Sequence, residues 1–370
     1  MPDDHSLMLL ALEQAQRARG RTSPNPMVGC VIARDGQVLA TGFHQGAGLP
    51  HAEAEAVAKL QGSAVGATAY VTLEPCNHQG RTPPCTTVLL KAGLERVVIA
   101  MRDPNPAVTG GGVERLRAGG LQVDVGECAQ EAARLNEAWL HRLETGRPFV
   151  IAKIAQSVDG AVATARGQSR WITGELARQQ GHVLRDQCDA IMVGAGTVRA
   201  DNPRLTTRVS GGRNPLRLVV CSGAELDPKS RVFSPRAPGG AVLAVTRKAL
   251  RRQRGLFSAR GVCVLPCRAQ RGRVDLKHLL ALLPARGVDS LLVEGGSTLL
   301  GALFGQRLVD KVYFFIAPLL LGANAMGAIG DWGPARLVNA PRLRDVAFRS
   351  VGEDLMLTAY LDYRRLPDRV

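Results

Sequence analysis

Four residues of this 370-residue chain have the types and spacing for hydrolytic chemistry at a metal. His51 and Glu53 lie two apart in PHAEAEAVAKL, and Cys76 and Cys85 follow, each directly after a proline. One imidazole and two thiolates bind a tetrahedral zinc and leave its fourth position open for water. Zinc acidifies that water, and a nearby carboxylate that is not a ligand moves the protons. Glu53 suits that task. It takes the water's proton, the oxygen attacks an amidine-type carbon, and the same side chain protonates the departing amine. His51, Cys76 and Cys85 are the expected zinc ligands and Glu53 the expected catalytic residue. The competing arrangement is a closed structural clip with His78 as fourth ligand. H-A-E, with P-C at element ends, favours the open site.

The surrounding pattern predicts what positions these residues. A helix is expected from Ser6 to Arg19, stopped by Gly20. TSPNP reads as a rigid loop, VGCVIA as a buried strand, RDG as a hairpin turn and QVLATG as the return strand. Pro50 opens a helix expected to reach Leu60, with His51 and Glu53 in its first turn. Ala69 to Leu73 reads as a strand. Pro83 and Pro84 prepare a helix from Cys85 to Lys91, where the positive end of the helix dipole favours a thiolate. RVVIA and LQVDVG are further strands, GGVERLRAGG and CAQEAARLNEAWLHRLETG further helices. The alternation implies an α/β layered domain. Gly-Arg-Pro at 146–148 marks a boundary, so domains are expected over 1–146 and 147–370.

In the second half, FVIAKIAQSVDGAVAT reads as a strand, followed by a helix from about Glu175 to Arg185. DAIMVGAGTV, LRLVVCS, GAVLAVT, GVCVLP, SLLVEGGSTLLGALF, KVYFFIAPLLLG and VAFRSVGEDLMLTAYLDY supply the rest of a second α/β sheet. The GAG at 194–196 is not read as a dinucleotide fingerprint, because Arg199 stands where a third glycine is needed and RADNP follows. LLVEGGSTLLGALF is the better phosphate cradle. It runs from a buried strand through Gly295 and Gly296 to Ser297 and Thr298, which open an apolar helix. A glycine-rich turn capped by hydroxyls, without a ligand, would read the same locally.

Composition narrows the partners. Hydrophobic residues make up 45% and charged residues 21%, as in a globular protein. Acidic residues near the start and no long apolar run argue against a signal peptide or a membrane span, so a cytoplasmic location with reduced cysteines is expected. Residues 1–147 hold 14 Lys and Arg against 15 Asp and Glu, and residues 148–370 hold 33 against 17. A basic half suits nucleic acid, a phosphorylated small molecule, or merely a solvated surface. Aromatic content of 4%, with none interleaved among the charges of 247–273, weighs against single-strand binding. So do the eight residues between the two cysteines, where nucleic-acid deaminases have P-C-x-x-C. The remaining class is a zinc-stabilised binding protein without catalysis. Composition leaves homo-oligomerisation open.

HAE, TLEPCNHQGRTPPC, TSPNPMVGCVIARDG and DPNP together resemble the deaminase domain of the bifunctional deaminase/reductase family of riboflavin biosynthesis. KIAQSVDG, SRWIT, GTVRADNPRLTTR, LLVEGGSTL and APLLLG resemble its reductase domain, and the resemblance covers nearly the whole chain. It implies a cytidine-deaminase-like α/β/α layer followed by a dihydrofolate-reductase-like α/β domain, with Zn²⁺ and NADPH as cofactors. It implies deamination of 2,5-diamino-6-ribosylamino-4(3H)-pyrimidinone 5′-phosphate, then reduction of the product's ribosyl chain to ribityl. Phosphorylated aminopyrimidines would be the partners, and nucleic acid and membrane would not.

The resemblance also assigns contacts. Asn25, His44, His78 and Arg81 would surround the deaminase substrate, with Gln79 beside them. Ala155, Trp171, Thr197, Asp201, Ser222 and the run Gly296, Ser297, Thr298, Leu299, Leu300, Gly301 and Ala302 would meet the nicotinamide cofactor. Ser169, Arg185, Leu205, Arg208 and Glu294 would meet the reductase substrate, and Lys153 is a further candidate near the ribose. Arg185 and Arg208 suit a sugar phosphate, since guanidinium holds such oxyanions in pairs. Two departures stand out: Asn77 replaces the serine of PCSH, and Cys221 replaces an aspartate that often precedes Ser222. Hydride transfer needs little here beyond positioning.

Overall fold

The structure is a computed structural model, and it describes residues 2–60, 63–79, 83–106, 111–223 and 226–363. It divides into two units, Met1–Thr145 and Gly146–Val370.

Unit 1 contains α1 (Asp4–Gln16), β1 (Gly29–Arg34), β2 (Gln37–Phe43), α2 (Ala52–Ala58), β3 (Thr68–Val71), α3 (Cys85–Lys91), β4 (Arg96–Ile99), α4 (Gly112–Ala118), β5 (Gln122–Val125), α5 (Ala129–Leu135) and α6 (Glu137–Thr145). Among the described residues these strands form one five-stranded sheet, ordered β2-β1-β3-β4-β5. β1 runs antiparallel to both neighbours, while β3, β4 and β5 are parallel. Side chains alternate across β1. Cys30 and Ile32 pack with Ala52, Ala56, Leu89 and Leu116 of α2, α3 and α4. Val31 and Ala33 face Leu7, Met8, Ala11 and Ala132 of α1 and α5. That two-residue period makes a three-layer α/β/α sandwich.

Asp3 caps α1 by accepting from the Ser6 amide at 2.9 Å. The helix ends at Gln16, short of the expected Arg19, and the next residues form turns. Gly29 and Gly42 are glycines for lack of room. A Cβ on Gly29 would lie 1.9 Å from the Ala11 carbonyl oxygen, and one on Gly42 2.3 Å from that of Ala52. Helices α1 and α2 therefore rest backbone-to-backbone on the hairpin. The single helix expected over CAQEAARLNEAWLHRLETG is interrupted at Asn136. The buried Asn136 carboxamide instead holds Met27, accepting from its amide at 2.7 Å and donating to its carbonyl at 2.9 Å.

Unit 2 contains β6 (Phe149–Ser157), β7 (Ala161–Ala163), α7 (Glu175–Gln187), β8 (Ala190–Gly194), α8 (Ala195–Asp201), β9 (Leu216–Cys221), β10 (Ala241–Thr246), α9 (Arg247–Ser258), β11 (Cys263–Cys267), β12 (Ala269–Gln270), β13 (Arg273–Val274), α10 (Leu276–Ala281), β14 (Ser290–Val293), α11 (Ser297–Gly305), β15 (Lys311–Ala317), β16 (Met326–Gly327), β17 (Arg342–Val351) and β18 (Asp354–Asp362). Its main sheet, among the described residues, has nine strands ordered β11-β10-β9-β8-β14-β6-β15-β18-β17. The first seven in that order run parallel, and β18 and β17 close it antiparallel. Buried runs such as β10 (Ala241–Thr246), covered on both faces, are what a parallel sheet requires.

Two local expectations differ. The FVIAKIAQSVDGAVAT strand turns after Ser157, whose hydroxyl accepts from the Ala161 amide at 2.9 Å. The strand read through GAGTV ends at Gly194, and Ala195–Asp201 is helical, which puts Thr197 and Asp201 on α8. α9 buries Ala249, Gln253 and Phe257 and leaves its arginines exposed, a solvated amphipathic face.

Candidate active sites

In unit 1, three ligand-type side chains converge from two helix starts and the end of β3. His51 is the N-cap of α2, one position earlier than its expected place in the first turn. Cys85 is the first residue of α3, and Cys76 lies in the loop after β3. His51 Nδ1 lies 3.3 Å from Cys85 Sγ and 3.5 Å from Cys76 Sγ, and all three ligand atoms fall within 4.8 Å of one another. Ligands around a tetrahedral zinc stand about 3.5–3.8 Å apart, given Zn–S and Zn–N bonds of about 2.3 and 2.0 Å. The donor set and its spacing therefore fit zinc. His78 is not a member of this cluster, which favours the open site over the closed clip.

The electrostatics agree. Cys76 is held down to about 4, first by its hydrogen bond with Cys85 and then by His51, with burial opposing. Cys85 moves the other way, so the two thiols share one proton, which a bound metal would expel. Glu53 is 3% exposed and stands against Cys85. Burial, chiefly, pushes its carboxyl up to about 6.

Neighbouring loops complete the pocket wall. Asn25 Nδ2 lies 3.1 Å from His44 Nε2, and His44 Nδ1 lies 3.0 Å from the Pro50 carbonyl oxygen. That pairing makes Nδ1 the donor and leaves Nε2 to accept from Asn25. The His44 ring meets the His51 ring edge-on, centroids 5.4 Å apart. Burial lowers the His44 pKa and keeps the ring neutral. Gln79 and His78 lie in the described part of the Cys76 loop, whereas Arg81 lies outside the described residues.

In unit 2 the charged residues gather at the C-terminal end of β14. Arg185 on α7 grips Glu294 in two places, Nε to Oε1 at 2.6 Å and Nη2 to Oε2 at 2.8 Å. It also donates to the Thr206 carbonyl at 3.1 Å. Lys153 Nζ stands 3.9 Å from Glu294 Oε2. Burial alone would raise the Glu294 carboxyl, but Arg185 and Lys153 overcome it and hold it at about 2. The two cations respond differently. Burial opposes both charges; at Arg185 the twofold grip on Glu294 outweighs it, while at Lys153 burial wins over the longer contact with Glu294, helped by repulsion from Arg185.

The glycine-rich turn follows. Gly295 and Gly296 hold φ of +126° and +73°, and Gly296 caps α11 without a side-chain hydrogen bond. A Cβ on Gly296 would meet Thr197 Oγ1 at 3.3 Å, and one on Gly301 would lie 1.6 Å from the Gly330 carbonyl oxygen. A start without a side-chain cap, with Ser297, Thr298 and Thr197 beside it, fits a pyrophosphate-bearing cofactor. Leu299, Leu300 and Gly301 are buried, so they offer a ligand backbone, not side chains. Ala302 is half-buried on the same helix, and Ala155 lies on β6 opposite Phe315.

The remaining candidates scatter more. Trp171 is 68% exposed beneath Arg178, whose guanidinium lies 4.6 Å from the ring centroid. Asp201 is engaged by Arg170, and Ser222 Oγ accepts from the Val274 amide at 2.9 Å. Leu205 is buried with φ +57°, so it presents backbone. Ser169 is half-buried and Arg208 exposed, and Arg208 is near enough to act on the charge of His182.

Comparison with known proteins decides the family. Residues 148–357 match the model of the RibD C-terminal domain, and residues 1–101 match the cytidine and deoxycytidylate deaminase zinc-binding region. The riboflavin biosynthesis protein RibD of Escherichia coli is 41% identical, over 96% of this chain and 98% of that protein. The chain belongs to the RibD family. RibD of Aquifex aeolicus is 38% identical over 96% of this chain and 97% of its own. Two solved structures superpose with a TM-score of 0.85. One, described as a diaminohydroxyphosphoribosylaminopyrimidine deaminase/5-amino-6-(5-phosphoribosylamino)uracil reductase from Thermotoga maritima, is 33% identical over 97% of this chain and 99% of that one. The other, Acinetobacter baumannii RibD, is 36% identical with the same coverage. The two-domain α/β architecture expected from sequence is that of RibD.

Three residues of this RibD-family chain escaped the sequence reading. Asn136 clamps Met27, and so positions the loop that carries Asn25. Its partner lies 109 residues away, and nothing in the mixed polar sequence around it signals that role. Asp103 in DPNP feels both His78 and Cys76, and burial raises its carboxyl. His182 lies one turn before Arg185, its Nδ1 buried and without a hydrogen-bond partner. Burial, then Arg185 and Arg208, lower its pKa to about 4, so it is a neutral ring. The i, i+3 spacing with Arg185 was the available signal.

The Asn136 clamp gives a test. Asn136→Ala should lower deamination about tenfold, since positioning losses of this kind are large for small displacements. Zinc content should stay at the wild-type value. A lower zinc content would show that the clamp serves the metal, and an unchanged rate would show that the Asn25 loop holds without it.

Proposed function

We propose that the zinc-binding unit deaminates a diaminopyrimidinone ribosylamine phosphate and that unit 2 reduces the ribosyl chain of the product with NADPH. The chain is a bifunctional deaminase and reductase of riboflavin biosynthesis, at once hydrolase and oxidoreductase. The observation that carries the reading is the coexistence in one RibD-family chain of an open Cys2His cluster with a buried, non-ligating Glu53, and of a half-buried Arg185–Glu294–Lys153 cluster beside an open helix start.

The roles follow from the geometry. His51, Cys76 and Cys85 would hold a zinc ion, which would supply an acidified water. Glu53, buried and tuned close to neutrality, accepts a proton and returns it to the leaving amine. Asn25 and His44 offer polar edges to the pyrimidine, and His78 and Arg81 are the candidate hydrogen-bond partners of the phosphate side. In unit 2, Gly296 to Ala302 with Thr197, Ala155, Trp171, Asp201 and Ser222 line the nicotinamide cofactor. Glu294 presents carboxylate oxygens to sugar hydroxyls, held in place by Arg185, while Lys153, Ser169, Leu205 and Arg208 complete the substrate wall. No helix among the described residues is long and apolar enough to cross a membrane, and a cytoplasmic setting suits the thiolate ligands.

One experiment tests both halves. Ammonia release and NADPH consumption are followed on the intact protein before and after zinc removal by a chelator. Chelation should cut ammonia release by about 100-fold or more, while reduction of separately supplied deaminated product continues. Loss of both activities, or of neither, contradicts the division of labour. Steep salt-dependent RNA binding would instead favour a nucleic-acid deaminase.

A further inference from the structure

A second ligand cluster lies in unit 1 and takes no part in the chemistry above. His5 stands in the first turn of α1, and Glu127 and Cys128 lie immediately before α5. His5 Nδ1 is 2.8 Å from Glu127 Oε1 and 3.4 Å from Cys128 Sγ, and Cys128 Sγ is 3.5 Å from Glu127 Oε1. Tetrahedral zinc with one nitrogen, one oxygen and one sulfur ligand has edges of about 3.3–3.5 Å. Two of the three edges already match, and the His5–Glu127 edge needs to open by about half an ångström to reach that geometry.

The scaffold holds the three atoms together. Leu7 and Met8 of α1 pack with Cys128 and Ala132 against one face of the sheet. The ligands therefore come from two elements fixed to the same core. Cys128 is 8% exposed, while the His5 and Glu127 side chains reach solvent, so an ion could enter and retain water as its fourth ligand. The charges favour a cation. Glu127 and, one turn along α5, Glu131 both bear on the Cys128 thiol. Imidazole, thiolate and carboxylate together select a borderline transition metal over magnesium or calcium.

We propose that His5, Glu127 and Cys128 form a second, peripheral zinc site that ties the start of α1 to the start of α5. The ion displaces the Cys128 thiol proton and the proton that His5 Nδ1 shares with Glu127, which passes to Nε2 or to solvent, and it changes no oxidation state. The site is structural, distant in role from deamination, and its occupancy is independent of Glu53.

The test is metal counting on the full chain, stripped by chelation, reloaded at micromolar free zinc and separated from excess metal. Wild type should hold about two zinc ions per chain, and His5→Gln and Cys128→Ser about one each. His5 is exposed, so the first variant leaves the fold intact whatever Cys128→Ser does. Cobalt substitution gives a second readout. With two sulfur ligands at the first site and one at the second, Cys128→Ser should lose about one third of the thiolate-to-cobalt absorbance. Deamination should be unchanged in both variants. A wild-type content of one zinc per chain, or two ions retained in both variants, overturns the proposal.

Discussion

Glu53→Gln should lower the rate of ammonia release by about 10³-fold, within the range that a positioned proton carrier contributes. The amide is nearly the same size, so the buried cavity at this 3%-exposed position keeps its shape. What is lost is a group able to bind and return a proton. Zinc content should match wild type, because Glu53 is not among the three clustered ligands. NADPH oxidation on supplied deaminated product should be untouched, because that chemistry is assigned to unit 2. The variant thus separates proton transfer from metal binding, and one from the other activity. Retention of more than about a tenth of the deamination rate, or parallel loss of zinc, would remove Glu53 from the catalytic role.

The second large effect is expected in unit 2. Glu294→Gln leaves the half-buried Arg185 and Lys153 without a counter-charge, and since removing one partner of a fully buried pair costs about 3–5 kcal/mol, the loss here should approach the lower end of that range. Chemical denaturation of the variant should show a midpoint lowered accordingly. Adding Lys153→Met should recover part of the loss, because one of the two unpaired charges is then removed as well. The wild-type pair also has a pH signature. Folding holds the Glu294 carboxyl at about 2, below its ordinary 4.5, so its contribution is complete above the ordinary value. It fades as pH falls from about 4.5 toward 2. The variant should lack that acid-side dependence. Equal stability of wild type and Glu294→Gln at neutral pH would show that the bidentate contact contributes nothing net. Reductase activity should fall sharply in the same variant, since Arg185 loses the partner that aims it.

The candidate metal cluster was legible in the sequence because its three side chains sit where local rules put them. A proline precedes each cysteine, a helix starts at His51, and glutamate follows at a fixed offset. The three-layer core was legible for a similar reason, since Cys30, Val31, Ile32 and Ala33 alternate between two faces. Long-range polar contacts were not legible. Nothing near Asn136 shows that its carboxamide binds Met27, and so the break between α5 and α6 is absent from a purely periodic reading. The helix at Ala195 was missed because Gly194 and Asn202-Pro203 bracket it and Gly196 lies in its first turn, and all of these are turn signals. In unit 2 the Arg185–Glu294 pairing joins residues 109 apart. The sequence offered both as candidates, and only the fold brings them together.

The two hairpin glycines carry one more implication. Contacts through side chains can be adjusted by changing a rotamer, but Gly42 meets Ala52 through backbone atoms, and there is no rotamer to adjust. The helix start bearing His51 and Glu53 is thus a fixed fixture and not a tunable one. Divergence in what this site accepts would have to be written in the loops that carry Asn25 and His78. The catalytic corner would travel unchanged from one selectivity to the next, and libraries aimed at new substrates should leave position 42 alone.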